Sequence, residues 1–206
     1  MYELVPVLSF IALRGRCRTC RNTIPIRFFI VEIATPLLYL ALYSRVGINT
    51  HFFVYAYLIS LLLYLSLVDI DTGSVSVGDI AAVYGGGFAS LFLSFRGIIG
   101  HGAAQSLYSF GLCLGLISLS MLILFVLKRR RSLGMGDLFI LPGIALYFGL
   151  NSIIRILLFT ATLGLITGVL LISMKKVGRD FKFPLMPFTT VAVCIEILAF
   201  YGNILP

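Results

Sequence analysis

The sequence from residue 57 to residue 69 reads YLISLLLYLSLVD, twelve apolar, aromatic or serine residues that end in a carboxylate. Ionisable groups beside hydrocarbon are costly and are usually functional. A second acid, Asp137, stands in GMGDLFIL at residues 134–141, where it opens another apolar run. Two carboxylates that meet can share one proton, an arrangement that activates water. The sequence therefore predicts a membrane segment ending at Asp69 and makes Asp69 and Asp137 candidates for a shared-proton pair.

The composition of the whole chain is that of a membrane protein. Sixty per cent of the 206 residues are hydrophobic and only 12% are charged, about half the charged fraction of a soluble domain. Apolar runs recur along the chain at roughly the length needed to cross 30 Å of hydrocarbon, so a signal peptide cannot account for them. We predict an all-α, polytopic transmembrane bundle of about seven helices, with segments at 28–43, 52–68, 80–95, 106–127, 138–150, 153–174 and 188–201. The fifth segment is short and could be a half-helix.

The basic residues predict the orientation of these segments. Clusters of Lys and Arg occur before or within the first segment, between the fourth and fifth, and between the sixth and seventh, at positions 14, 16, 18, 21, 27, 128–131, 175, 176, 179 and 182. Seven spans place all three clusters on one side, which the positive-inside rule makes cytoplasmic. The N-terminus is then cytoplasmic, and the net charge of +8 reflects topology and not nucleic-acid binding.

The same topology brings the acids to the cytoplasmic boundary. Asp69 and Asp71 are two residues apart, so on a helix they point about 200° away from each other. Gly73 is a plausible residue for ending that helix. Asp69 then meets the unfavourable C-terminal end of the helix dipole, and Asp137 the favourable N-terminal end of another. Two alternatives stay open: Asp137 could be a simple N-cap, and Asp69, Asp71 and Asp79 could belong to a solvated interfacial loop.

Taken together, the motifs resemble those of the type IV prepilin peptidases over nearly the whole chain. The elements that carry the resemblance are PVLSF at 6–10, LRGRCRTC at 13–20, IPIRFFIVE at 24–32, LVDID at 67–71, GMGD at 134–137 and FPLMPF at 183–188. Five or more elements in order are far more specific than GMGD alone. Three departures stand out: Phe139 replaces a common lysine, residues 73–77 replace a proline-containing turn, and Leu185-Met186 replaces phenylalanine-glycine.

The resemblance implies a membrane-embedded aspartic endopeptidase with Asp69 and Asp137 as the catalytic pair. Gly134 and Gly136 would allow close approach of substrate backbone, and Asp71 and Glu32 would support the site. The implied substrates are prepilin-like precursors with a short basic leader, cleaved at the cytoplasmic face of the bacterial inner membrane. Proteolysis of this kind needs no cofactor, whereas many relatives also methylate the new N-terminus with S-adenosylmethionine. The implied organisation is a cytoplasmic segment at 1–27 and a transmembrane peptidase domain at 28–206.

The cysteines and the start of the chain depart from the longer bacterial members. Those members carry a further N-terminal membrane segment and a first C-x-x-C pair, neither of which the sequence contains. Cys17 and Cys20 have metal-ligand spacing, but one pair cannot supply the four ligands of a structural zinc site. A zinc site is therefore not expected from this chain alone.

Several smaller features have structural interpretations. Glu32 could instead be a charge near the cytoplasmic surface that pairs with Arg27. Glu196, within the last segment, is expected to bond to a neighbouring helix, and the glycines at 85–87 are expected to allow close helix packing. Two rival functions remain: a small proton-coupled transporter, and an inactive relative that acts as an assembly factor.

Overall fold

The computed structural model describes residues 9–10, 12–98, 102–126, 135–174 and 184–200, with the helical backbone only for 123–126 and 135–138. Within these ranges the protein is helical and contains no strand beyond an isolated bridge between Arg16 and Thr23. The seven helices are α1 (Ile26–Val46), α2 (Thr50–Thr72), α3 (Val77–Phe95), α4 (Ala103–Val126), α5 (Met135–Ala145), α6 (Leu150–Ser173) and α7 (Met186–Phe200). Each overlaps a predicted segment, with ends that differ by up to five residues, and this confirms the all-α bundle.

The helix lengths agree with the sequence-based expectation. Five helices, α1, α2, α3, α4 and α6, are long and apolar enough to cross a membrane. Helix α5 has only 11 residues, as expected for the short fifth segment, and α7 has 15. The charge clusters at 128–131 and 175–182 lie outside the described residues, and the cytoplasmic orientation of the N-terminus stays a prediction.

The chain divides into two compact units, Met1–Gly47 and Ile48–Pro206. The first unit contains the C-x-x-C segment and α1. There the rings of Phe10 and Phe29 stack with centroids 4.6 Å apart. The division predicted at residue 27 concerns membrane topology, so it also stays a prediction.

In the second unit, the long helix α2 is built around one buried stripe. Asn49 caps its start, with the side-chain oxygen accepting the backbone N–H of Phe52 at 3.1 Å. Gly73 ends the helix in the left-handed conformation, at φ 58° and ψ 28°, as the sequence predicted. The buried side chains recur three or four residues apart and lie at His51, Tyr55, Leu58, Ile59, Leu62, Leu65, Ser66 and Asp69. This spacing puts them on one helix face, so Asp69 ends the face that packs against the bundle.

The other helices of this unit pack in two groups. Helix α7 packs against both α2 and α6, while α5 packs against α3 and α4. Helix α3 also contacts α2 and α4, and α4 contacts α6, which joins the groups. Helix α3 is therefore a neighbour of both α2 and α5, the two helices that carry Asp69 and Asp137.

Glycines allow α3 and α5 to approach closely. A Cβ at Gly87 would lie 2.9 Å from the carbonyl oxygen of Gly143, and one at Gly143 would lie 2.7 Å from Cγ1 of Val83. A Cβ at Gly86 would meet the hydroxyl of Tyr147, which donates to the carbonyl oxygen of Val83 at 3.3 Å. The packing role predicted for this triplet is confirmed at Gly86 and Gly87. It is wrong for Gly85, where a Cβ would have no neighbour within 4 Å.

Glu196 is fully buried in α7 and binds Arg155 of α6. The Nε of Arg155 donates to one carboxylate oxygen at 2.9 Å, and Nη2 donates to the other. The guanidinium also lies over the ring of Phe200, 5.0 Å from its centroid. The expectation that Glu196 bonds to a neighbouring helix is confirmed, and the partner is a charged group that the sequence did not identify.

We predict that Gly87→Ala destabilises the protein and that Gly85→Ala does not. The new methyl group at residue 87 would meet backbone and the Cβ of Leu146, neither of which can turn aside. Overpacking of this kind costs about 1–3 kcal/mol, more than the roughly 1 kcal/mol that alanine gains over glycine in a helix.

Thermal unfolding of the two variants in detergent measures the difference. The Gly85→Ala variant is the matched control, because it carries the same change two residues away and faces open space. Equal melting temperatures for both variants would contradict the close α3–α5 packing.

Candidate active site

Asp69 lies in the last turn of α2 and is buried, with only 4% of its surface exposed. Its backbone carbonyl accepts the N–H of Gly73 at 2.8 Å, which closes the end of the helix. Asp71, two residues on, is exposed. The two side chains thus point in different directions, as the helical geometry predicted, and Asp69 is the one that faces the bundle.

The carboxylate of Asp69 contacts the first residue of α7. Its Oδ2 accepts the backbone N–H of Met186 at 3.0 Å. The first N–H groups of a helix have no partner within the helix. Asp69 therefore caps α7 from another helix, 117 residues away in sequence.

Two hydroxyl groups join the same helices one turn further along. The Oγ of Ser66 and the Oγ1 of Thr190 lie 2.7 Å apart, and both residues are buried. Each hydroxyl also reaches the carbonyl oxygen of Leu62, at 2.8 Å from Ser66 and 3.1 Å from Thr190. We call Asp69, Met186, Ser66 and Thr190 the α2–α7 clasp.

The clasp changes the electrostatic expectation for Asp69. Asp69 lies at the C-terminal end of its own helix dipole, as the sequence predicted. The sequence did not reveal that the side chain also meets the N-terminus of α7, where the dipole and the free N–H favour a negative charge. Burial disfavours that charge, so opposing influences meet at this carboxylate. The unfavourable end of the α2 dipole is therefore only one of the influences on the charge of Asp69.

Asp137 is the third residue of α5, so its backbone lies in the first turn of that helix. It is not the N-cap that one open alternative assumed. Gly136 is the second residue of α5, whereas Gly134 and the side chain of Asp137 lie outside the described residues. The roles of these three residues stay predictions.

Packing contacts give the direction of α5 relative to α3. Gly143 lies beside Val83 and Tyr84, and Leu146 lies beside Gly87, so the two helices run parallel. Asp137 precedes Gly143 by six residues, about 9 Å along the helix axis, which brings its backbone level with the start of α3. Helix α3 itself starts at Val77, four residues after Gly73 ends α2. The helix ends that carry Asp69 and Asp137 therefore lie at the same end of this unit.

The third acid of the predicted loop has a structural role. Asp79 and Ser76 form a capping box at the start of α3: Ser76 Oγ accepts the N–H of Asp79 at 3.2 Å, and Asp79 Oδ2 accepts the N–H of Ser76 at 3.0 Å. This pair satisfies two backbone donors at the helix start. The interfacial-loop alternative is wrong for Asp69, which is buried. Asp71 is exposed and Asp79 half-buried, and both belong to helix ends and not to the loop between them.

The remaining predicted residues lie in the first unit. Glu32 is exposed on α1. Cys17 is half-buried and Cys20 exposed, in a loop where the N–H of Cys17 donates to the carbonyl oxygen of Asn22 at 2.9 Å. No group of three or more His, Cys, Asp or Glu that could hold a metal occurs within the described parts of the chain. These two thiols alone do not make up a structural zinc site.

Sequence reasoning missed the part that α7 plays at Asp69. It treated the segment around Pro184 and Pro187 as a family element and as the place of a departure at Leu185-Met186. The available signal was Pro187, because proline is favoured in the first turn of a helix. That signal indicates where α7 begins, but the contact with Asp69 depends on tertiary packing.

Comparison with known proteins gives consistent results. Residues 1–46 match the family model for the Bacterial Peptidase A24 N-terminal domain. A prepilin leader peptidase/N-methyltransferase of Pseudomonas putida is 30% identical over 200 residues, covering 96% of this chain and 67% of the relative. Proteins of the same name from Burkholderia pseudomallei and Myxococcus xanthus are 31% and 29% identical, covering 91% and 83% of this chain. No solved structure gives a significant match.

The fold and the site define a multi-pass helical membrane protein with a buried carboxylate at the junction of two helices. The chain belongs to the prepilin leader peptidase/N-methyltransferase family. It spans about half the length of the Myxococcus xanthus relative and 59% of the Burkholderia pseudomallei relative.

We predict that Asp69→Leu destabilises the protein more than Asp69→Asn. Asparagine keeps a carbonyl oxygen that can accept the Met186 N–H, whereas leucine leaves that buried donor unsatisfied. An unsatisfied buried group costs about 1–3 kcal/mol.

The measurement is the midpoint of thermal or denaturant unfolding in detergent, with Asp71→Leu as the control on the exposed side of the same turn. A leucine variant as stable as the asparagine variant would contradict the hydrogen bond to α7.

Proposed function

We propose that the protein is a membrane-embedded aspartic endopeptidase in which Asp69 and Asp137 form the catalytic pair. The observation that carries this proposal is the environment of Asp69, a buried carboxylate that ends an apolar helix. Buried ionisable groups near a membrane boundary are costly and mark functional sites. The capping role on α7 does not by itself explain an acid, because a neutral asparagine would also accept the Met186 N–H.

Support for Asp137 as the partner comes from the arrangement of helices. Its backbone is in the first turn of α5, whose start lies at the same end of the unit as Asp69. Family membership is further support, since the relatives share the name prepilin leader peptidase/N-methyltransferase. The two acids fit the GMGD and LVDID motifs noted in the sequence.

The mechanism needs one ionised and one protonated carboxylate. The ionised group takes a proton from water as the water oxygen bonds to the scissile carbonyl carbon. The protonated group hydrogen-bonds to the carbonyl oxygen and stabilises its developing charge. When the carbon–nitrogen bond breaks, the leaving amine takes a proton from the pair. The α7 N-terminus keeps the Asp69 side chain in one orientation throughout.

The proposed substrates are prepilin-like precursors, cleaved at the cytoplasmic face of the inner membrane. A short basic leader followed by an apolar helix would put the scissile bond at the membrane boundary. The predicted topology puts Asp69 and Asp137 at the same depth. A basic leader also suits a site whose catalytic groups are acids.

Methyl transfer to the new N-terminus is a second proposed activity, based on the names of the relatives. Glu32 is a single exposed carboxylate on α1 and does not define a binding site for S-adenosylmethionine. No step of methyl transfer is therefore assigned to residues of this chain.

The test is cleavage of a co-expressed prepilin-like precursor by wild type, Asp69→Asn, Asp137→Asn and Asp71→Asn. We expect cleavage by wild type and by Asp71→Asn, because the side chain of Asp71 is exposed and points away from Asp69. We expect a loss of at least about 10²-fold in the two dyad variants, because general acid–base catalysis contributes roughly 10²–10⁴ for each group. Mass spectrometry of the product N-terminus detects an added methyl group.

Each contrary outcome has a distinct meaning. Undiminished cleavage by Asp69→Asn or Asp137→Asn removes that acid from the pair. Absence of cleavage by wild type, against several precursors and at normal expression, contradicts the peptidase proposal and favours an inactive assembly factor.

A further inference from the structure

The α2–α7 clasp contains a polar group that the proposed chemistry does not use. Thr190 lies one turn beyond Met186 in α7, is buried, and bonds across to α2 at the level of Ser66. We propose that Thr190 is a positioning residue: it holds the N-terminus of α7 against Asp69 and so fixes the orientation of that carboxylate. This inference rests on the proposed function for its catalytic consequence but not for its structural one.

Counting protons shows that a hydrogen bond must cross between the helices. Ser66 and Thr190 each have one hydroxyl proton, and four acceptor contacts are within reach: Leu62 O, Met186 O and the two hydroxyl oxygens. If both hydroxyls donated within their own helices, two oxygens 2.7 Å apart would have no proton between them. That arrangement is unfavourable, so at least one bond joins α2 to α7 here.

The hydroxyl of Thr190 that bonds to α2 also contacts Met186, so it can fix the position of Met186. Thr190 Oγ1 reaches the carbonyl oxygen of Met186 at 2.9 Å as well as the carbonyl oxygen of Leu62 in α2 at 3.1 Å. The hydroxyl therefore contacts the residue whose N–H binds Asp69 and the helix that carries Asp69. Sliding or rotation of α7 would break the Thr190 contacts and the Met186–Asp69 bond together.

The hydroxyls of Ser66 and Thr190 are not equivalent, so we expect their removal to have effects of different size. In Ser66→Ala, Thr190 can still donate to Leu62 O across the interface. In Thr190→Val, the remaining Ser66 hydroxyl can donate to Leu62 O in its own helix, and no hydroxyl bond crosses. We therefore expect Thr190→Val to have the larger effect, and Thr190→Ser to restore function.

Thr189 offers a matched control. It is as deeply buried as Thr190 and lies in the same turn, but its hydroxyl donates to the carbonyl oxygen of Leu185, the residue just before α7, and not to α2. Thr189→Val thus removes a buried hydroxyl of the same kind without removing a bond to α2.

The first measurement follows precursor cleavage by Thr190→Val, Thr190→Ser, Thr189→Val and Ser66→Ala. We expect kcat to fall about tenfold to 100-fold in Thr190→Val with KM little changed, because misplacement of a catalytic group by about 1 Å costs up to 10²-fold. Thr190→Ser and Thr189→Val should stay close to wild type, with Ser66→Ala between. Equal kcat in Thr190→Val and Thr189→Val would overturn the proposal.

The second measurement does not depend on activity. Amide hydrogen exchange at Met186 reports its bond to Asp69. The peptide at 184–188 has only two other N–H groups, those of Leu185 and Phe188, because Pro184 and Pro187 have none. We expect Thr190→Val and Asp69→Leu each to speed this exchange about tenfold or more, and the double variant to add nothing further, since both act on one bond.

The two measurements separate the possible failures. If wild type cleaves no precursor, the peptidase proposal fails, and the exchange cycle alone decides whether Thr190 holds Met186 against Asp69. Additive effects of Thr190→Val and Asp69→Leu on exchange, or no effect of Thr190→Val, would overturn the positioning role.

Discussion

The hydrogen bond from the Met186 N–H to Asp69 is the interaction on which the proposed active site depends. It joins the end of α2 to the start of α7 and satisfies a backbone donor that would otherwise be buried without a partner. It also fixes the side chain of an acid that the bundle removes from water. This one contact thus lies at the end of the α2–α7 interface, caps α7 and orients Asp69, a proposed catalytic group.

Helix α3 packs against α5, the helix that carries the other proposed catalytic acid, Asp137. Its glycines at 86 and 87 accept α5 and the turn after it at close range, and the hydroxyls of Tyr57 and Tyr147 both bind carbonyl oxygens of α3, at Ala82 and Val83. Helix α5 has only 11 residues. Its position along α3 is fixed by the contacts of Gly143, six residues beyond Asp137. The capping box of Ser76 and Asp79 fixes the start of α3 beside the end of α2.

Much of the fold could be predicted because membrane helices can be identified from their apolar composition. The seven apolar segments, the short α5, the left-handed Gly73 and the divergence of Asp69 from Asp71 follow from local patterns. Apolar periodicity was a weaker guide to which residues of each helix are buried, because the surfaces facing lipid are as apolar as those facing the bundle. The sequence therefore did not distinguish Gly85 from Gly86 and Gly87.

The contacts of the site and of the fold that the sequence did not reveal all involve distant partners. Met186 binds through its backbone, so its side chain gave no signal. Ser66 and Thr190 resemble other hydroxyl residues in apolar helices, most of which donate to backbone carbonyl oxygens of their own helix. The Arg155–Glu196 pair joins residues 41 positions apart. In each case helix packing, and not local propensity, determines which polar groups meet.

The central claim is that Asp69 and Asp137 meet in one site. The most direct test is cross-linking of Asp69→Cys/Asp137→Cys in membranes, with Cys17, Cys20, Cys113 and Cys194 replaced by serine or alanine. A short bifunctional thiol reagent should cross-link this pair efficiently and Asp71→Cys/Asp137→Cys poorly. Absence of a cross-link between positions 69 and 137, when each thiol reacts separately with a monofunctional reagent, would contradict the shared site.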